Sequence, residues 1–74
     1  MNVTIKLVGI FKIDRFKDAV REYPSGICVR EVVDELRIPT HLLGTVLINE
    51  IHAGVEDVLV DGDTVCLLPF IDGG

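Results

Sequence analysis

The sequence predicts an α+β domain in which one helix crosses one face of a mixed sheet of four to five strands. Three observations carry that prediction: an apolar stripe at helical spacing from Val29 to Leu36, alternating or wholly apolar segments at both ends of the chain, and turn residues spaced along its second half. In 74 residues, burying a helix stripe against a sheet is the economical way to cover these apolar faces. A chain this short buries only ~60% of its unfolded surface, so it makes one small domain with little room for an internal active-site cavity.

The first segment, Val3 to Ile10, sets Val3, Ile5 and Leu7 on one face against Thr4 and Lys6, with Val8 and Ile10 continuing the second face. It is expected to be a strand. Residues 16 to 23 are ambiguous, because Phe16, Ala19, Val20 and Tyr23 fit a helical stripe. The span is short, ends against Pro24-Ser25-Gly26, and follows Lys12 to Arg15, which is a suitable hairpin loop, so a strand pairing with the first is the reading adopted.

From Val29 to Arg37 the apolar residues Val29, Val32, Val33 and Leu36 recur at i, i+3, i+4 and i+7, while Arg30, Glu31, Asp34 and Glu35 face away. Pro39 is expected to end this helix. Cys28 occupies the N-cap, three residues before Glu31, where a capping box prefers Ser or Thr. A thiol there could be activated by the helix terminus, but a buried structural cysteine is the preferred reading.

After Pro39 a loop or single turn through Leu43-Gly44 is expected to lead into a strand at Val46-Leu47-Ile48. Asn49-Glu50 then reads as a tight turn before a short strand at Ile51-His52. Asp61-Gly62-Asp63 forms another turn and feeds Thr64 to Leu68, a run without charge on either face, as expected of a strand buried on both sides. The first and last strands are the most continuously apolar and are placed side by side in the middle of the sheet. This is the β-grasp arrangement, expected over residues 1–68, with 69–74 as a flexible C-terminal tail.

Charge and composition exclude several functions. A net charge of −5 argues against nucleic-acid binding, and no apolar run approaches the ~20 residues that span a bilayer. A start in an alternating strand, without a signal-peptide pattern, makes a soluble, cytoplasmic protein with reduced Cys28 and Cys66 the expectation. His41 and His52 lack the spacing of a metal site, and no nucleophile, base and orienting group combine into a catalytic set. All seven basic residues lie in 1 to 37, leaving 38 to 74 wholly acidic. Such a half either steers the domain toward a basic partner patch or serves ordinary solubility.

The chain closes with Pro69-Phe70-Ile71-Asp72-Gly73-Gly74. Six extended residues span about 20 Å, enough to enter a narrow channel elsewhere. Pro69 cannot donate to a ladder and is expected to mark where the sheet lets go. Phe70 and Ile71 would be apolar on an exposed segment, which suits coverage by a partner. Gly73 and Gly74 lack Cβ, so nothing blocks approach to the terminal carbonyl.

Thr4-Ile5-Lys6-Leu7 with Gly9, Gly26-Ile27-Cys28-Val29-Arg30-Glu31, Val46-Leu47-Ile48-Asn49, and Asp61-Gly62-Asp63-Thr64-Val65 followed by the diglycine together resemble the ubiquitin-like sulfur carriers of the MoaD/ThiS family. The resemblance covers essentially the whole chain. It implies that an E1-like enzyme adenylates the Gly74 carboxylate with ATP and that a sulfur donor displaces AMP to leave a thiocarboxylate. The sulfur would then pass to an acceptor such as the molybdopterin synthase large subunit or thiazole synthase. On this reading the protein is a carrier, not an enzyme, and binds no cofactor of its own. The chain departs from the family in three places: Pro69 is followed by Phe70 where molybdopterin members commonly have a second proline, Asp72 adds charge near the terminus, and Cys28 replaces the usual threonine. A ubiquitin-like protein modifier and a non-catalytic binding module are the alternatives.

Overall fold

The structure is a computed structural model that describes residues 1–70. Five strands form one sheet: β1 (Asn2–Leu7), β2 (Asp18–Glu22), β3 (Leu43–Ile48), β4 (Ile51–Ala53) and β5 (Thr64–Pro69). They lie in the order β2-β1-β5-β3-β4, and the helix α1 (Val29–Glu35) crosses one face. The expected central pair is present. β1 and β5 run parallel, with Ile5 opposite Val65 and Leu7 opposite Leu67. β2 pairs antiparallel with β1, so the ambiguous segment is a strand.

The core is a single cluster. Val3, Ile5 and Leu7 of β1, Val65 and Leu67 of β5, Val46 of β3, and Val29, Val32 and Val33 of α1 are buried in it. One face of β5 is therefore sealed, but Cys66 and Leu68 on the other face are only half-buried. The expectation of burial on both sides is corrected here: the single helix covers one face, and no second layer lies over the other among the described residues. Cys28 is likewise half-buried, and it and Cys66 are free thiols.

β1 stops at Leu7, not Ile10. Gly9 takes φ +60 and turns the chain into a 3-10 helix, Gly9–Lys12, which swings Phe11 into the core at 1% exposure. Val8 and Ile10 stay outside. The β1–β2 connection is thus longer than a hairpin loop, and it is held by Arg15. That guanidinium donates to the carbonyls of Leu36 at 3.0 Å, Arg37 at 3.0 Å and Phe11 at 3.3 Å.

The helix also ends earlier than Pro39 requires. Arg37 adopts φ +58, its N–H donates to the Asp34 carbonyl, and the Ile38 N–H donates to the Val33 carbonyl. This is a Schellman closure with arginine in the position glycine usually holds, and buried Ile38 supplies its apolar contact. At the other end, the N–H groups of Val29 and Arg30 donate to the carbonyls of Asp57 and Val55. Glu31 Oε2 accepts the Cys28 N–H at 2.9 Å. The 55–57 loop supplies caps to the first turn, which explains why a thiol is tolerated at the N-cap.

Asn49 and Glu50 both have positive φ, 52 and 68, the backbone of a type I′ hairpin turn between β3 and β4. Asn49 also reaches Asp63: its Nδ2 donates to Asp63 Oδ1 at 2.8 Å, and Asp63 Oδ2 accepts the Val60 N–H at 2.9 Å. Asp63 is 7% exposed, so removing its carboxylate leaves two donors without a partner. Asp63→Ala is expected to cost about 2 kcal/mol, read as a lower urea midpoint at unchanged slope. A midpoint within error of the wild type would show that the carboxylate contributes nothing net.

Tyr23 ties β2 to α1. Its hydroxyl donates to Glu35 Oε1 at 2.8 Å, and Arg21 pairs with the same carboxylate oxygen at 3.2 Å. Burial first, and the Glu35 carboxylate next, push the phenol up from 10.0 to about 12. A folded-state value above the unfolded one means that the folded protein holds the proton more tightly. This stabilisation is fully present below pH 10 and is lost as pH rises toward 12. The wild type should therefore lose more stability across that interval than Tyr23→Phe, as measured by urea unfolding at both ends of it. Equal losses would exclude Tyr23 as the cause.

Candidate functional site

The candidate site begins where β5 runs out. Pro69 remains in β5 and pairs with Leu43, so the boundary expected after Leu68 falls inside the strand. Phe70 is still tied to the domain, its N–H donating to the Leu42 carbonyl at 2.6 Å. The step-off point is therefore Phe70, one residue beyond the proline. Ile71, Asp72, Gly73 and Gly74, the greater part of the expected tail, lie outside the described residues.

The neighbours of this root come from three parts of the chain. A 3-10 turn, Thr40–Leu42, follows Pro39 and leads straight into β3 at Leu43, so the expected loop through Leu43-Gly44 is largely strand. The β3–β5 register shifts between Leu43 and Thr45, which leaves Gly44 at the irregularity, against Phe70. On the other side, a Cβ added to Gly9 would lie 3.4 Å from Pro69 Cγ, so the turn that ends β1 abuts the proline ring. Reasoning from sequence singled out Pro69 and Phe70 but missed Leu42 and Gly44. The available signal was a glycine inside an apolar strand pattern, which marks a bulge or a close backbone approach.

Two surfaces adjoin the root. On the open face of the sheet, register places Leu47 of β3 beside Cys66 of β5, and Thr45 beside Leu68. Phe70, 62% exposed, follows two residues after Leu68. Lys6 and His52 flank the Leu47–Cys66 row from β1 and β4. Around the end of the sheet, Ile10, Ile13, Leu36, Pro39 and Leu42 line an apolar groove of 470 Å³ with Arg15 and Arg37 beside them.

The acidic residues of the second half serve the fold as well as the surface. Glu56 pairs with Arg30 at 2.9 Å, Asp57 Oδ2 accepts the Gly54 N–H, and Asp61 Oδ1 accepts the Asn2 N–H, both at 2.7 Å. Turn and loop chemistry accounts for their presence, while Glu56, Asp57 and Asp61 stay exposed and keep their charge toward solvent. Among the described residues no three His, Cys, Asp or Glu are grouped to hold a metal, and no helix is long and apolar enough to cross a membrane.

Comparison with protein-family models and with curated proteins returns no match. Solved structures do match along the whole chain. Small archaeal modifier protein 1 from Haloferax volcanii is 16% identical with a TM-score of 0.76, over 95% of this chain and 98% of that one. A putative molybdopterin converting factor subunit 1 from Pyrococcus furiosus is 18% identical with a TM-score of 0.77, covering 96% and 99%. A chain from the complex of subunits 1 and 2 of molybdopterin-converting factor from Helicobacter pylori is 22% identical with a TM-score of 0.67, covering 100% of both. At these identities the likeness is one of fold, and together with the strand order and the single crossing helix it establishes that this chain is a β-grasp, ubiquitin-like domain.

Proposed function

We propose that this chain is a sulfur carrier of the MoaD/ThiS type, acted on through its C-terminal Gly74. The observation that carries the proposal is a sequence ending in Gly73-Gly74 just beyond a central strand, with exposed Phe70 as the last residue bonded to the sheet's end. In the proposed cycle a carboxylate oxygen of Gly74 attacks the α-phosphorus of ATP on an E1-like partner, and pyrophosphate leaves. Sulfide then attacks the acyl carbon of the adenylate, a C–S bond forming as the acyl C–O bond to phosphate breaks, and AMP departs to leave the thiocarboxylate. The carrier supplies a handle with no Cβ at either of its last two positions, and the catalytic groups belong to the partner. The apolar row of Leu47, Cys66 and Leu68 leading to Phe70 offers that partner a docking face beside the tail.

The solved complex of molybdopterin-converting factor subunits 1 and 2 favours a molybdopterin synthase large subunit as sulfur acceptor over thiazole synthase. The second reading, a protein modifier that forms an amide with a target lysine, is favoured by the likeness to small archaeal modifier protein 1. One experiment separates the two. The purified chain is incubated with ATP, sulfide and cell extract and read by intact mass. Exchange of one oxygen for sulfur supports the carrier, ATP-dependent conjugates of higher mass support the modifier, and neither product leaves a binding module.

A further inference from the structure

Gly44 is not a glycine for conformational reasons. Gly9, Gly26 and Gly62 take positive φ, whereas Gly44 does not, so its backbone conformation does not itself demand glycine. Space is what excludes a side chain. A Cβ on Gly44 would lie 2.7 Å from Phe70 Cα, 2.8 Å from Phe70 N and 3.1 Å from the Pro69 carbonyl carbon. All three are backbone atoms, so no rotamer change relieves the clash, and either β3 or the Phe70 backbone must move. β3 is held to β5 on either side of Gly44, through Leu43 and Thr45, while Phe70 is past the last ladder pair and held by its bond to Leu42. The displacement therefore falls on Phe70.

We infer that Gly44 is a positioning residue for the root of the C-terminal segment: by lacking a side chain it lets the Phe70 backbone lie against β3 and bond to Leu42, and so fixes where Phe70 sits at the end of the sheet. This rests on the sulfur-carrier reading for its functional consequence, though not for its geometry. Pro69 alone does not set the exit, because the constraint continues through Phe70 and comes from the facing strand.

The test has two arms. In the first, amide hydrogen exchange is followed in the wild type and Gly44→Ala. Loss of the Leu42 bond should speed exchange of the Phe70 amide at least about 10-fold while Val65 and Leu67 in β5 stay protected. Unchanged exchange at Phe70 overturns the inference, whatever chemistry Gly74 undergoes. In the second, sulfur loading is measured with the E1-like partner. Gly44→Ala should lower kcat by about 100-fold, the loss expected when a reacting group is misplaced by about 1 Å, with KM little changed because the docking face is intact.

Gly62→Ala is the control for damage to folding alone. Gly62 has φ +90 and open space around it, so alanine strains the turn far from the root, lowering stability without slowing loading. Equal kcat in Gly44→Ala and wild type overturns the positioning role. A wild type that gains no sulfur overturns the carrier reading and leaves the exchange arm fully interpretable.

Discussion

Deletion of Gly74 should abolish sulfur loading altogether, the largest effect expected of any single change in this chain. The proposed reaction begins on the terminal carboxylate, and a chain ending at Gly73 presents its carboxylate about 3.4 Å short of that position. Addition of one alanine after Gly74 errs by the same distance in the other direction and places a Cβ beside the acyl carbon. Misplacement on this scale costs about 100-fold or more in rate. The core and the strand pairings lie within residues 1–70, so a melting temperature near that of the wild type would separate a loss of loading from a loss of fold. The check is intact mass after incubation with ATP, the activating partner and sulfide, beside a thermal melt of each variant. If the shortened and extended chains support growth or partner function as well as the wild type, sulfur carriage is to be abandoned in favour of a binding module.

The second large effect concerns stability. Phe11 is 1% exposed and enters the core from the 3-10 turn after β1. Truncating such a residue typically costs 3–5 kcal/mol, through lost burial and a cavity that closes only in part. A domain of 74 residues has roughly 4–11 kcal/mol of total stability, so Phe11→Ala should remove a large share of it, from about a quarter to all. Urea unfolding followed by circular dichroism measures this directly. A loss below about 1 kcal/mol would mean that Phe11 does not fill the core as described. Because Phe11 also lines the groove beside Leu36 and Leu42, a weakened core here would loosen the same end of the molecule from which the tail departs.

Much of this fold could be read from residues in order, and what escaped did so for identifiable reasons. The helix announced itself because Val29, Val32, Val33 and Leu36 repeat at 3.6-residue spacing, and the central place of β5 followed from its lack of charge. The turns at Asn49 and at Asp61-Gly62-Asp63 were legible because positive φ favours Asn and Gly. The end of β1 was not legible, since Val8 and Ile10 continue an apolar pattern and only the φ of Gly9 reveals the turn. The helix stop at Arg37 was hidden for the converse reason: a left-handed residue that is not glycine carries no local signal. Asp63 reads as a turn residue, and its second role, joining Asn49 to Val60 across the end of the sheet, depends on contacts distant in sequence. The candidate site divides in the same way. Pro69 and Phe70 stand out by type and position, whereas Leu42 and Gly44 matter only because β3 and β5 lie side by side. Of the residues named for the chemistry itself, Ile71 to Gly74 lie beyond those described, so their roles stand as proposals.

The parallel pairing of β1 with β5 sets a schedule for biosynthesis. Ile5 cannot meet Val65 until nearly the whole chain has emerged from the ribosome, and contacts so distant in sequence are slow to form because a long loop must close first. Until then β1 has only β2 beside it, and its other edge, rich in Val, Ile and Leu, is open to mispairing with other nascent chains. The strand that closes this edge is also the last strand of the chain's described residues. A chain that stops before Thr64 thus lacks a finished sheet, so such fragments are expected to stay unfolded and open to proteolysis.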